Sequence, residues 1–130
     1  MTEKRITPYS DEELEYFRGL ILAKKRETEQ EIERLQNELA KESRDLLDDD
    51  SGYSFHMADS AAVATGREQA YMMIDRLQKL IGYLDRAIER INNKTYGICR
   101  VTGKPIPKER LEAIPHTELS VEGKMLEQRR

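Results

Sequence analysis

Apolar residues in the first half of the chain recur in steps of three and four. Leu14, Phe17 and Ile21 form one group, and Ile32, Leu35 and Leu39 a second. That spacing places side chains on one face of an α-helix. Between the groups, Lys24-Lys25-Arg26-Glu27 and Glu29-Gln30-Glu31 leave little but Leu22, Ala23 and Thr28 to bury. Upstream, Ser10-Asp11-Glu12-Glu13 reads as an N-cap with a capping box, and its acidic residues complement the helix dipole. No proline interrupts the stretch from there to about Leu47, and Gly19 is its one glycine. The pattern predicts one long surface helix with a narrow, interrupted seam.

Asp48-Asp49-Asp50-Ser51-Gly52 has the composition of a loop. Tyr53 to Met57 fit helix and loop equally. A second helix is expected from near Ala58 to Asn92, with a cleaner seam of Ile74, Leu77, Ile81, Leu84, Ile88 and Ile91. In this pattern Asp59 sits where an N-cap would fall. Two helices of roughly 35 residues joined by a short connection must fold back antiparallel, since neither stripe is buried alone. At ~1.5 Å per residue each arm would run about 50 Å.

The last 37 residues change character. Tyr96-Gly97-Ile98-Cys99 and Val101-Thr102-Gly103-Lys104-Pro105-Ile106 suggest short β-type pieces between glycine turns. Pro107 is placed to start a short helix that Pro115 stops, and a final helix is expected over 122–128. Ile98, Val101, Ile106, Leu111, Ile114, Leu119 and Val121 are the expected core of this part. The fold class is therefore mainly α: an antiparallel helical hairpin over 10–93, a small C-terminal globular base over 94–130, and an N-terminal tail over 1–9.

Composition narrows the function classes. Of 130 residues, 36% are charged and 38% hydrophobic, with no Trp. Such a chain suits helices that each bury one stripe rather than a thick core. No apolar run is long enough for a membrane span or a secretory signal. The single cysteine, Cys99, excludes an internal disulfide and points to a cytoplasmic location. The net charge of −3 combines 9 basic against 16 acidic residues over 1–65 with 13 against 9 over 66–130. That asymmetry suits a protein partner with a charged surface, or two helices of opposite sign that attract each other.

No enzyme constellation is present. The two histidines, His56 and His116, lie far apart, and neither has a metal-spaced partner. The chain is read as a non-enzyme.

Thr95-Tyr96-Gly97-Ile98-Cys99-Arg100-Val101-Thr102-Gly103-Lys104-Pro105-Ile106-Pro107, followed by Arg110-Leu111-Glu112-Ala113-Ile114-Pro115, carries a more specific signal. It resembles the zinc-finger end of the DksA/TraR family of bacterial transcription regulators. The family pattern is Y-G-x-C-x-x-C-G-x-x-I, then R-L-E-A-x-P and a second C-x-x-C knuckle. Its four cysteines fall here on Cys99, Thr102, Ser120 and Gly123. The spacing is kept while three ligands are replaced, and one thiolate with two neutral hydroxyls is too poor a donor set to keep zinc. Cys99 is then either a residual metal or redox site, or a small hydrophobe packed in the base.

The resemblance also implies a D-x-x-D-x-A pattern at the hairpin tip that acts inside RNA polymerase. It falls on His56, Asp59 and Ala61, with histidine in place of the first aspartate. The family's basic contacts for the alarmone ppGpp fall on Tyr83, Ile114 and Lys124, and only Lys124 keeps a charge suited to phosphate. No cofactor is therefore expected, neither zinc nor ppGpp. The resemblance implies a monomeric cytoplasmic regulator that binds core RNA polymerase through the secondary channel and does not itself bind promoter DNA. The rival is a coiled-coil scaffold that kept the fold and lost the regulatory chemistry. A DNA-binding base is the weaker option, with 8 basic against 5 acidic residues over 94–130.

Overall fold

A computed structural model describes the backbone of residues 6–48 and 53–129, and the side chains of residues 6–44 and 64–129. Four helices follow in chain order: α1 (Asp11–Asp48), α2 (Tyr53–Asn92), α3 (Lys108–Ala113) and α4 (Val121–Gln128). The chain is mainly α, as the hydrophobic pattern predicts. Among the described residues no helix is long and apolar enough to cross a membrane.

The α1 start follows from its sequence. The Ser10 N–H donates to Glu13 Oε1 at 3.0 Å, and the Glu13 N–H donates to Ser10 Oγ at 3.2 Å. This is the reciprocal capping box, which covers two N–H groups that the helix leaves without partners. The start of α2 differs from expectation. It begins at Tyr53 rather than near Ala58, because no proline or glycine interrupts 53–65. Its end is marked by Lys94, whose φ of 61° is left-handed, with the Thr95 N–H closing onto Arg90 O at 2.9 Å.

Compactness divides the chain elsewhere than at residue 94. One unit joins Met1–Arg26 to Gly82–Arg130; the other is Glu27–Ile81. In the first, Arg18 bonds Asn92 at 2.6 Å and Lys25 pairs with Asp85 at 2.8 Å, so α1 and α2 run antiparallel there. In the second, Arg67 bonds Ser43, and Leu39, Ser43, Tyr71 and Ile74 line one shallow groove, again an antiparallel arrangement.

The first unit, called the base below, is built around aromatic rings. Phe17 is fully buried, its ring centroid 5.5 Å from Tyr9, 5.4 Å from Tyr16 and 5.4 Å from Tyr96. Leu14, Ile21, Leu84, Ala87, Ile91, Ile106 and Leu111 complete the core. Each large apolar side chain of this kind contributes roughly 1.5–3 kcal/mol through burial. Tyr96 is buried too, and its hydroxyl donates to Pro115 O at 2.7 Å, which removes the cost of an unpaired polar atom.

Three expectations for this unit are corrected. Its core is not confined to 94–130, since the ends of both long helices supply most of it. Ile114 and Val121 are 36% and 57% exposed and belong to the surface. The β-type pieces reduce to a single antiparallel bridge, Ile98 with Pro105, and no strand forms among the described residues. Positive φ at Gly97 (89°) and Gly103 (73°) turns the chain too sharply for a ladder to extend. A Cβ at Gly97 would also stand 2.5 Å from the Tyr9 ring. Residues 6–9 are held in place: the Ile6 and Thr7 N–H groups both donate to Lys94 O, and the Tyr9 hydroxyl donates to Ile106 O.

In the second unit the seam is thinner. Among its described residues Leu39 and Ile74 are buried at 8% exposure, and Thr28 fills the α1 position where the apolar series lapses. Ile32, Leu35, Leu77 and Ile81 are half-buried.

Candidate functional site

The residues singled out from the sequence fall at three places. His56, Asp59 and Ala61 lie in the first turns of α2 by backbone, while their side chains lie outside the described residues. Because α2 begins at Tyr53, Asp59 is an interior helical residue and the N-cap role is not available to it. His56 and Asp59, three residues apart on a helix, share one face. Asp48 closes α1, and Asp49 and Asp50 lie outside the described residues.

The second place is a knuckle in the base that brings Cys99, Thr102, Ser120 and Gly123 together. The Cys99 N–H donates to Lys104 O and the Gly103 N–H to Cys99 O, both at 2.9 Å, and left-handed Gly103 makes the turn possible. The Arg100 N–H donates to Glu118 O at 2.9 Å, joining this turn to the segment that leads into α4. Ser120 is the α4 N-cap, accepting from the Gly123 N–H at 3.0 Å. Cys99 is screened from solvent. Burial alone would raise its thiol pKa. Hydrogen bonds from the Ser120 and Thr102 hydroxyls and from their backbone N–H groups outweigh burial and bring it down to about 6. The close approach of α4 depends on Gly123, where an added Cβ would run into Cys99 Sγ.

The third place is a cleft of about 510 Å³ in the base, which Tyr83, Ile114 and Lys124 line together with Arg100, Arg110 and His116. Two of its cations are already engaged: Arg100 pairs with Glu127 at 2.8 Å, and Arg110 Nε donates to Leu119 O at 2.7 Å. His116 stacks on Tyr83 at 6.1 Å, and the Arg86 guanidinium lies 4.9 Å from the Tyr83 ring centroid. His116 Nδ1 is buried without a hydrogen-bond partner. Burial, then the positive charges of Lys24 and Arg90, hold the His116 pKa below its ordinary value. Arg110 and His116 carried no sequence signal for this cleft, because the contacts that assemble it join residues distant along the chain.

Comparison with known proteins places this arrangement. The model of the prokaryotic dksA/traR C4-type zinc finger matches residues 94–122. The RNA polymerase-binding transcription factor DksA of Caulobacter vibrioides is 36% identical over 121 residues, 93% of this chain and 80% of that protein. General stress protein 16O of Bacillus subtilis is 40% identical over 74 residues, 55% of this chain and 44% of that protein. The structure of transcription factor DksA2 from Pseudomonas aeruginosa superposes with a TM-score of 0.73 at 32% identity, covering 90% of this chain and 84% of that one. A helical hairpin whose ends are stitched to a four-position knuckle defines the class. The chain belongs to the DksA/TraR family.

The C4-type pattern implies zinc, and the residues present do not fit it. Tetrahedral zinc takes four thiolate, imidazole or carboxylate donors. Here the four positions offer one sulfur, two neutral hydroxyls and a glycine pressed against the sulfur. Among the described residues no three His, Cys, Asp or Glu side chains gather at metal-binding distance.

Proposed function

We propose that this chain is an RNA polymerase-binding transcription regulator of the cytoplasm, acting as a monomer and without catalytic chemistry of its own. It docks on the core enzyme, inserts the α1–α2 end through the secondary channel, and modulates initiation without contacting promoter DNA. The observation that carries this reading is the 36% identity with a DksA named for polymerase binding, spread over 93% of the chain and not only over the knuckle. The working residues are Asp59 and Ala61, with His56 on the Asp59 face. A carboxylate delivered there competes for Mg²⁺ or for the basic groups that position substrate, and so shifts equilibria without forming a covalent bond.

Action independent of ppGpp belongs to this reading, because Lys124 alone carries a suitable charge among the three matched positions. The test is transcription in vitro from a responsive promoter with wild type and Asp59→Asn. The variant should bind polymerase as wild type does and lose its effect on initiation. Loss of binding and effect together would make Asp59 structural, and full retention of the effect would remove it from the working end.

A further inference from the structure

Gly123 is the third residue of α4, and its backbone gives no reason for glycine. Its φ is not positive, and glycine is among the poorest helix formers. The reason lies across the knuckle, where any Cβ would strike Cys99 Sγ, with Ser120 Oγ at 3.3 Å and Val101 Cβ at 3.6 Å closing the remaining sides. Ser120 does two things at once. Its oxygen accepts from the Gly123 N–H at 3.0 Å, which leaves its own proton for the Cys99 sulfur, while Thr102 reaches the same sulfur from the knuckle turn.

We propose that Cys99, Thr102, Ser120 and Gly123 form a metal-independent latch: the Cys99 sulfur fills the space a ligand side chain would occupy, and the base folds without zinc. The three replacements around the retained Cys99 are then one coupled change. Removing a ligand side chain at 123 lets α4 close onto the sulfur, and the hydroxyls at 102 and 120 donate to the sulfur that zinc would otherwise hold. A zinc-dependent base gains its folding free energy from the metal; this one gains it from packing and hydrogen bonds. The inference rests on family membership and the knuckle geometry, so it stands or falls separately from polymerase binding.

The full-length protein tests it in two ways. After dialysis against zinc and then buffer, elemental analysis should find far less than one zinc per chain, and a strong chelator should leave the melting temperature unchanged. One retained zinc per chain, or a melting temperature lowered by the chelator, overturns the proposal. The second test is a double-mutant cycle. Gly123→Ala should lower the melting temperature by several degrees or prevent folding. The same substitution in a Cys99→Ala background should leave melting unchanged or raise it, because the sulfur is gone and alanine is the better helix former. An equal loss in both backgrounds would show that the sulfur is not what demands glycine.

Discussion

Among the described residues, the largest side chains almost wholly removed from solvent, Phe17, Tyr96, Leu84 and Cys99 among them, all belong to the base. The unit Glu27–Ile81 buries Leu39, Ile74 and Thr28 among its described residues and leaves Tyr71 and Met72 about 60% exposed. One unit has a core; the other has a seam. The second unit gains helix stability from propensity and from exposed pairs such as Arg34 with Glu31 and Glu38, both at 2.7 Å, and Lys79 with Asp75 at 3.1 Å. The lesson is a division of labour: the aromatic base holds the buried core, and the second unit relies on a thin seam and exposed ion pairs.

The sharpest way to break that comparison is to truncate one residue in each unit. Phe17→Ala removes the ring that three tyrosines pack against and should cost about 3–5 kcal/mol, read as a lowered denaturant midpoint. Leu39→Ala opens a groove that is already shallow and should cost about 2 kcal/mol, near the lower end for such changes. Equal losses at the two sites would contradict the contrast. Ser10→Ala, which removes the cap where α1 enters the base, should cost about 1 kcal/mol by the same measurement.

A smaller effect separates the units by pH. His116 in the base has a depressed pKa, so the native state resists the proton that the unfolded chain accepts near pH 6.5. Its contribution is fully present above that value and is lost as pH falls through it toward the folded pKa. His116→Gln should flatten the dependence of the melting temperature on pH between 7.5 and 5, with pH values chosen around that range. A profile unchanged by the substitution would place the sensitivity elsewhere. Smallest of all, Arg34→Ala in the second unit should lower the melting temperature only slightly, since its exposed i,i+3 and i,i+4 pairs with Glu31 and Glu38 each contribute little.

Much of the fold was legible where structure is local. Ser10 and Glu13 announced the α1 cap, Asn92-Asn93-Lys94 the end of α2, and Pro107 the start of α3. The aromatic core was not legible, because Tyr9, Phe17 and Tyr96 meet only after the chain has folded back, and no periodicity records that meeting. The α2 periodicity points to Leu84, Ile88 and Ile91, yet Ala87 is fully buried and Ile88 only half. At the knuckle, family spacing located four positions but not their chemistry. That Ser120 caps α4 and that Gly123 makes room for a sulfur became visible only with α4 in place. Asp59 is no N-cap because residues 53–58 contain no proline or glycine to stop the helix extending.

The central claim is that this hairpin protein acts on RNA polymerase through the secondary channel. The most direct test is equilibrium binding of the purified full-length chain to core RNA polymerase, with and without a protein known to occupy that channel. The account predicts saturable binding that the competitor displaces. Absence of binding at micromolar concentrations, or binding that the competitor leaves untouched, would contradict it and favour a scaffold that kept only the fold.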